Sequence, residues 1–292
     1  MRRVLASLVL GAVAATLLVG CGSDAKTSTD DGAFAYDSGA DLDVQDKGHV
    51  TSGGLIVRDL SFATPSGRVG AFLVTPKQAD HLPAVIYLHG AGGDRTSMLG
   101  PAFGLAAHGA AALLITAPSS VTARTGASAE ARLHDYRDSV VDDVVAVRRG
   151  IDVLAHRPEV DASRIGFVGW SAGARTGAIV AGVEPRLQGT VLMSAGSNDV
   201  DAYVQQAPAS LRKELRRTLD EVDPLRWIAR ADAASLLLQN GRHDTVVPRS
   251  ALDAMIAAAP RGTALRWYDA GHALNDRAYN EHLQWLQARL GF

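Results

Sequence analysis

The stretch RIGFVGWSAGA, residues 164–174, constrains this chain more than any other. Its first half is a short apolar run ending at a glycine, the pattern of a strand buried on both faces. Its second half continues into small residues that suit a helix over 172–183. A serine between such a strand and such a helix, in G-x-S-x-G, has the context of a nucleophile elbow. The turn is so tight that Ser171 must take a strained backbone conformation, and side chains two positions before and after would collide with it. Gly169 and Gly173 meet that demand. The hydroxyl would then stand at the carboxyl end of the sheet, where open α/β folds bind ligands. The following helix would offer backbone N–H groups and a partial positive charge to an oxyanion. By itself the pattern is weak, with roughly 0.2 chance matches expected at these Gly and Ser frequencies.

The surroundings strengthen it. From Gly54 onward strand-like and helix-like segments alternate. Residues 55–62 and 68–76 read as an antiparallel pair across a Pro/Gly turn. Residues 83–90, 111–116, 164–169, 189–195, 235–241 and 263–271 read as further strands, with helices over 97–108, 134–156 and 172–183 and after the last two strands. In 134–156 the residues Val140, Val141, Val144, Val147, Ile151 and Leu154 share one stripe, which turns Asp138, Asp142 and Arg149 outward. The alternation implies an α/β fold, a doubly wound and mainly parallel sheet with an antiparallel N-terminal edge. Residues 197–223 interrupt the rhythm with a charged segment whose thin apolar stripe is Leu211, Leu215 and Leu219. It fits a solvated surface helix or a lid over the site equally well.

A serine hydroxyl is a poor nucleophile near neutral pH and needs a base and a group that orients the base. Chain order in such folds is serine, acid, histidine. His272 follows the last predicted strand and is the expected base. Asp244, in the loop after LLLQNG, is the expected acid in preference to Asp269, which lies only three residues before His272. His243 precedes the acid and reads as a loop histidine. Oxyanion donors are expected from the Ala172 N–H and, in the glycine-rich HGAGG loop at 89–93, from the Ala91 N–H.

HGAGG, GWSAG, LLLQNGRHD and AGH, in that order and spacing, resemble the α/β-hydrolase superfamily over residues 55–292. VDASRIGFVGWSAG together with DPLRWIARADAASLLLQNGRHDTVVP is similar to its dienelactone-hydrolase-like and acyl-peptidase-like branch. Dienelactone hydrolases carry a cysteine where Ser171 stands. The residues before 55 leave no room for the propeller of the oligopeptidases.

The N-terminus has a different character. Arg2 and Arg3 precede an almost unbroken apolar run from Val4 to Gly20, the pattern of an export signal peptide. Leu18-Val19-Gly20-Cys21 resembles the lipobox of bacterial lipoproteins, which implies lipidation of Cys21 and anchorage at the outer face of the cell membrane. The other reading is an ordinary signal cleaved after Ala15. Cys21 is the one cysteine, so an intramolecular disulfide is excluded. Residues 22–52 hold seven Asp against two Lys and few large apolar side chains, which predicts a flexible acidic tether over 21–53. EF-hand spacing is absent there.

The remaining 54–292 is long enough for one domain with a substantial core. Net charge is −2 with no basic stripe, which argues against a nucleic-acid partner. The expectation is a serine esterase with Ser171, Asp244 and His272 as its triad, acting on a small-molecule ester without metal or cofactor. An amidase or peptidase with the same triad, and a non-catalytic surface-binding lipoprotein, are the alternatives.

Overall fold

The computed structural model describes residues 31–292 apart from 79, 123–125, 127 and 198–199. The signal segment and Cys21 therefore lie outside the described residues. Among the described residues the strands are β1 (Gln45–Ser52), β2 (Leu55–Thr64), β3 (Gly67–Pro76), β4 (Leu82–Leu88), β5 (Ala111–Ile115), β6 (Val160–Trp170), β7 (Leu187–Met193), β8 (Leu236–Gly241) and β9 (Ala264–Tyr268). They form one sheet in the order β1-β2-β3-β5-β4-β6-β7-β8-β9. The six from β5 to β9 run parallel. The first three join antiparallel at one edge, so the expected doubly wound sheet gains a further strand, β1.

β4 shows why the sheet must be covered twice. All seven of its residues are buried, and they alternate between two cores. Ala84, Ile86 and Leu88 face the core that holds Val144, Val147 and Ile151, whereas Val85 and Tyr87 face the one that holds Leu105, Leu286 and Leu290. Helices α1 (Leu99–Ala107) and α9 (Asp276–Leu290) supply the second core. A short α2 (Pro118–Val121) follows β5. The first core is covered by α3 (Ala129–Ala155), α4 (Ala172–Val183), α7 (Pro224–Ile228) and α8 (Arg249–Ala258).

Two expectations about the N-terminal half need correction. Arg149 does not turn outward; it is 2% exposed. Its guanidinium donates to the carbonyls of Ala63 (3.2 Å), Ala40 (3.0 Å) and Asp41 (2.7 Å). Its neighbour Arg148 donates to the Phe34 carbonyl at 2.8 Å and pairs with Asp31 at 2.9 Å and Glu184 at 3.3 Å. The described part of the predicted tether, 31–52, thus lies on the domain. Phe34 is fully buried edge-on against Trp227, with ring centroids 5.2 Å apart, and Tyr36 donates to Asp152 at 2.9 Å. One aromatic anchor and two buried arginines offset an ordering entropy that composition alone could not.

The 197–223 segment contains α5 (Val200–Gln206) and α6 (Arg212–Glu221). Leu215 and Leu219 pack with Val204 and Leu133 of α3, and Glu221 receives two hydrogen bonds from Arg137, at 2.8 and 3.2 Å. The apolar stripe therefore faces α3.

Docking of the N-terminal segment is open to test. Phe34→Ala is expected to cost about 3–5 kcal/mol in urea unfolding. A loss below about 1 kcal/mol, the range of an exposed position, would show that the segment does not pack.

Candidate active site

Ser171 sits between β6 and α4 with φ 55° and ψ −113°, a left-handed φ that non-glycine residues rarely adopt. Its N–H donates to the Met193 carbonyl of β7 at 2.8 Å, which fixes the turn to the neighbouring strand. The flanking glycines are required by backbone crowding rather than by the serine side chain. A Cβ on Gly169 would lie 2.4 Å from the Gly173 carbonyl oxygen. A Cβ on Gly173 would lie 2.3 Å from the carbonyl oxygen of Leu88 and 2.6 Å from that of His89. Strand-to-helix reversal and the close approach of β4 both depend on these absent side chains.

The structure brings Ser171, His272 and Asp244 together. His272 Nε2 is 2.9 Å from Ser171 Oγ, and His272 Nδ1 is 2.8 Å from Asp244 Oδ2. With Nδ1–H donating to the carboxylate, Nε2 is free to accept the hydroxyl proton. Asp244 is held in turn by the N–H groups of Val246 and Val247, both at 2.9 Å. Its burial opposes the charge, but the bonds from His272 and the two N–H groups prevail and hold its carboxyl below the usual range. Asp269 instead bonds His243 Nε2 at 2.6 Å, an exposed pair away from Ser171. The two loops meet because a Cβ on Gly241, at the end of β8, would lie 2.4 Å from the Gly271 carbonyl oxygen.

Three further residues hold this arrangement. Trp170 Nε1 (3.1 Å) and Ser194 Oγ (2.9 Å) both donate to the His272 carbonyl, which fixes the backbone that carries the imidazole. His89 is buried, and the Ala117 N–H donates to its Nε2 at 3.0 Å. That leaves Nδ1–H to donate to the Gly90 carbonyl at 2.7 Å. In a trans peptide the Gly90 carbonyl and the Ala91 N–H point opposite ways, so the bond that draws one inward turns the other out. His89 heads the HGAGG motif, but its contact with Ala117 and that of Ser194 with His272 join residues distant along the chain, so no local pattern gives either its role.

Ala91 and Ala172 border one cleft of about 240 Å³ beside Ser171, and neither N–H donates to another described group. The cleft is walled by Tyr136, Val140 and Asp143 of α3 and by Val222 and Pro224. Burial raises the carboxyl of Asp143, while Ser119 resists this with bonds of 2.9 and 2.6 Å. The interrupting segment 197–223 reaches the cleft through Val222 at its end. Among the described residues no cluster of three or more His, Cys, Asp or Glu side chains is placed to hold a metal ion.

The sequence model of the prolyl oligopeptidase family matches residues 127–292, more than half of the chain. Among solved structures, the acetyl xylan esterase from Paenibacillus sp. R4 is similar at 20% identity and TM-score 0.70, covering 86% of this chain and 90% of that one. Acetyl xylan esterase 1 from Thermoanaerobacterium sp. JW/SL YS485 is similar at 20% identity and TM-score 0.70, covering 85% and 88%. The glucuronoyl esterase from Solibacter usitatus is similar at 12% identity and TM-score 0.60, covering 85% and 86%. These likenesses establish the α/β-hydrolase fold. No curated protein sequence matches the chain.

The hydrogen bonding ranks the two aspartates. Asp244→Asn is expected to slow fluorophosphonate labelling of Ser171 by about 10³–10⁴-fold, and Asp269→Asn to leave it within about threefold. The opposite ranking would transfer the role to Asp269. A pH signature accompanies it. A carboxyl held low stabilises the fold above its unfolded value near pH 4, and that stabilisation fades as pH falls through the lowered value. The stability gap between wild type and Asp244→Asn in urea unfolding should narrow on going from pH 7 to pH 3. A gap independent of pH would show that Asp244 is not held low.

Proposed function

The chain belongs to the prolyl oligopeptidase family, and from that premise we propose that it is a serine esterase working through an acyl-enzyme on Ser171. One observation carries the reading: a single imidazole, His272, bridges the Ser171 hydroxyl at 2.9 Å and the buried Asp244 carboxylate at 2.8 Å. In the proposed reaction Ser171 Oγ attacks the ester carbonyl carbon while its proton passes to His272 Nε2. Asp244 holds the Nδ1–H tautomer and stabilises the imidazolium. The Ala91 and Ala172 N–H groups receive the tetrahedral oxyanion. Collapse expels the alkoxide, which His272 protonates. A water then attacks the acyl-enzyme with His272 again as base, and Ser171 is restored.

Support for an ester as substrate comes from the esterases that share the fold and from the small cleft beside Ser171. The family match favours a second reading, cleavage of peptide or amide bonds by the same residues. Attachment to the membrane through Cys21 is a separate proposal, resting on the lipobox-like LVGC stretch.

Ser171→Ala is expected to abolish turnover of p-nitrophenyl acetate and labelling by a fluorophosphonate. Undiminished labelling of that variant would overturn the assignment. Wild type should hydrolyse the p-nitrophenyl ester far faster than the p-nitroanilide of the same acyl group, and the reverse preference would establish the amide reading. Mass analysis of the mature protein should find a lipid-modified Cys21 at its N-terminus. An unmodified start at Thr16 would refute the anchor.

A further inference from the structure

A second cavity, of about 540 Å³, lies between α1 and α9 and is bordered by Trp170. None of Ser171, His272, Ala91 or Ala172 lines it. Trp170 connects it to His272, since its indole N–H reaches the His272 carbonyl at 3.1 Å and the residue borders this cavity. The remaining walls are largely aromatic and apolar, chiefly Tyr87, Met98, Pro101, Tyr279 and Leu283.

Two polar side chains, each only 2% exposed, also line the cavity: Tyr87 and His282. Tyr87 Oη makes no hydrogen bond to any described group. For His282 the bonding defines which nitrogen is available. Gln239 spends its amide N–H groups on Tyr268 Oη (2.7 Å) and the Ala278 carbonyl (2.9 Å), so its Oε1 accepts from His282 Nδ1 at 3.3 Å. Burial pushes the His282 imidazole down to about 4, which keeps it neutral at physiological pH. Nε2 therefore carries a lone pair and no proton. The buried polar atoms sealed without a partner among the described residues are Asp31 Oδ1, Asp59 Oδ1 and Thr190 Oγ1. Tyr87 Oη and His282 Nε2 are not among these, so both open into the cavity that they line.

Buried polar groups normally have partners, and a roomy apolar cavity offering an unused hydroxyl and an unused imidazole is built to receive some. We infer that the cavity bordered by Trp170 is a second small-molecule site, selective for an uncharged aromatic alcohol of the phenol class. The ring would lie among Tyr87, Trp170 and Tyr279. A ligand hydroxyl can donate to His282 Nε2 and accept from Tyr87 O–H. No lysine or arginine lines the cavity and Asp276 does, so an anion finds no counter-charge there.

The test is calorimetric titration of the whole protein with 4-methylphenol, with toluene as the analogue lacking the hydroxyl. Expected is saturable binding of one molecule with Kd below about 1 mM, and toluene weaker by about three- to tenfold or more. Tyr87→Phe should weaken 4-methylphenol by about the same factor and leave toluene unchanged. Gly104 lines the cavity, and a Cβ there meets nothing within 4 Å, so Gly104→Leu should fill the space and abolish binding while cooperative thermal unfolding is retained. Should that variant fail to fold, Gly100→Leu, which also lines the cavity and faces open space, takes its place. Absence of saturable binding, equal affinity for toluene, or undiminished binding to the folded cavity-filling variant would each overturn the proposal. None of these readouts depends on hydrolysis, so failure here leaves the esterase reading untouched and the converse holds.

Discussion

Backbone crowding at the carboxyl end of β4 governs the geometry of the site. Gly173 approaches the Leu88 and His89 carbonyls so closely that even a methyl group would lie 2.3 Å from one of them. That approach sets the N-terminus of α4 directly against the HGAGG loop. It thereby brings Ala91 and Ala172 to one cleft, next to Ser171. The same device is used at β8, where Gly241 lets the Gly271 backbone come close and so lets Asp244 reach His272. Two contacts that only glycine permits thus position groups far apart in the chain, and the strained φ of Ser171 is sustained by the strands around it.

Polar contacts then hold what the crowding brings together. The His272 carbonyl receives two hydrogen bonds, from Trp170 and Ser194, so the imidazole is carried on a fixed backbone. His89 does the corresponding work for the loop opposite by anchoring the Gly90 carbonyl. Both are supports of the kind that convert an adjacent serine and histidine into a preorganised pair. Trp170 links this support to the second cavity, because it bonds the His272 carbonyl, lies 5.3 Å from the imidazole ring and borders that cavity.

α3 ties the site to the N-terminal segment. Around Tyr136 to Asp143 it walls the cleft, and two turns further on Arg148 and Arg149 clamp residues 31–41. Their guanidiniums are buried with carbonyls, Asp31 and Glu184 as partners, so removing either the segment or an arginine would strand charge in a poor dielectric. The segment is therefore part of the domain's energetics although its composition resembles a linker.

Much of the fold was legible locally. Apolar runs of strand length, helix periodicity and the Gly-Ser-Gly turn depend on neighbours in sequence, and α4 spans 172–183 as its residues predict. Ser171, Asp244 and His272 were readable because each follows a strand whose carboxyl end must face the site. Other features were not readable. Strand β1 is exposed along its whole length and carries no apolar alternation. Arg149 interrupts an apolar stripe and looks outward until residues 40, 41 and 63 supply its three acceptors. His89 and Ser194 acquire their roles from partners 28 and 78 residues away, respectively. The sequence by itself determined the layered α/β architecture and pointed to Ser171, Asp244 and His272 as one constellation, because those rest on periodicity and on turns of a few residues. Tertiary structure alone decided where the arginines of α3 point, what holds the His272 carbonyl and what the N-terminal segment does, because each depends on long-range partners that a local pattern cannot specify.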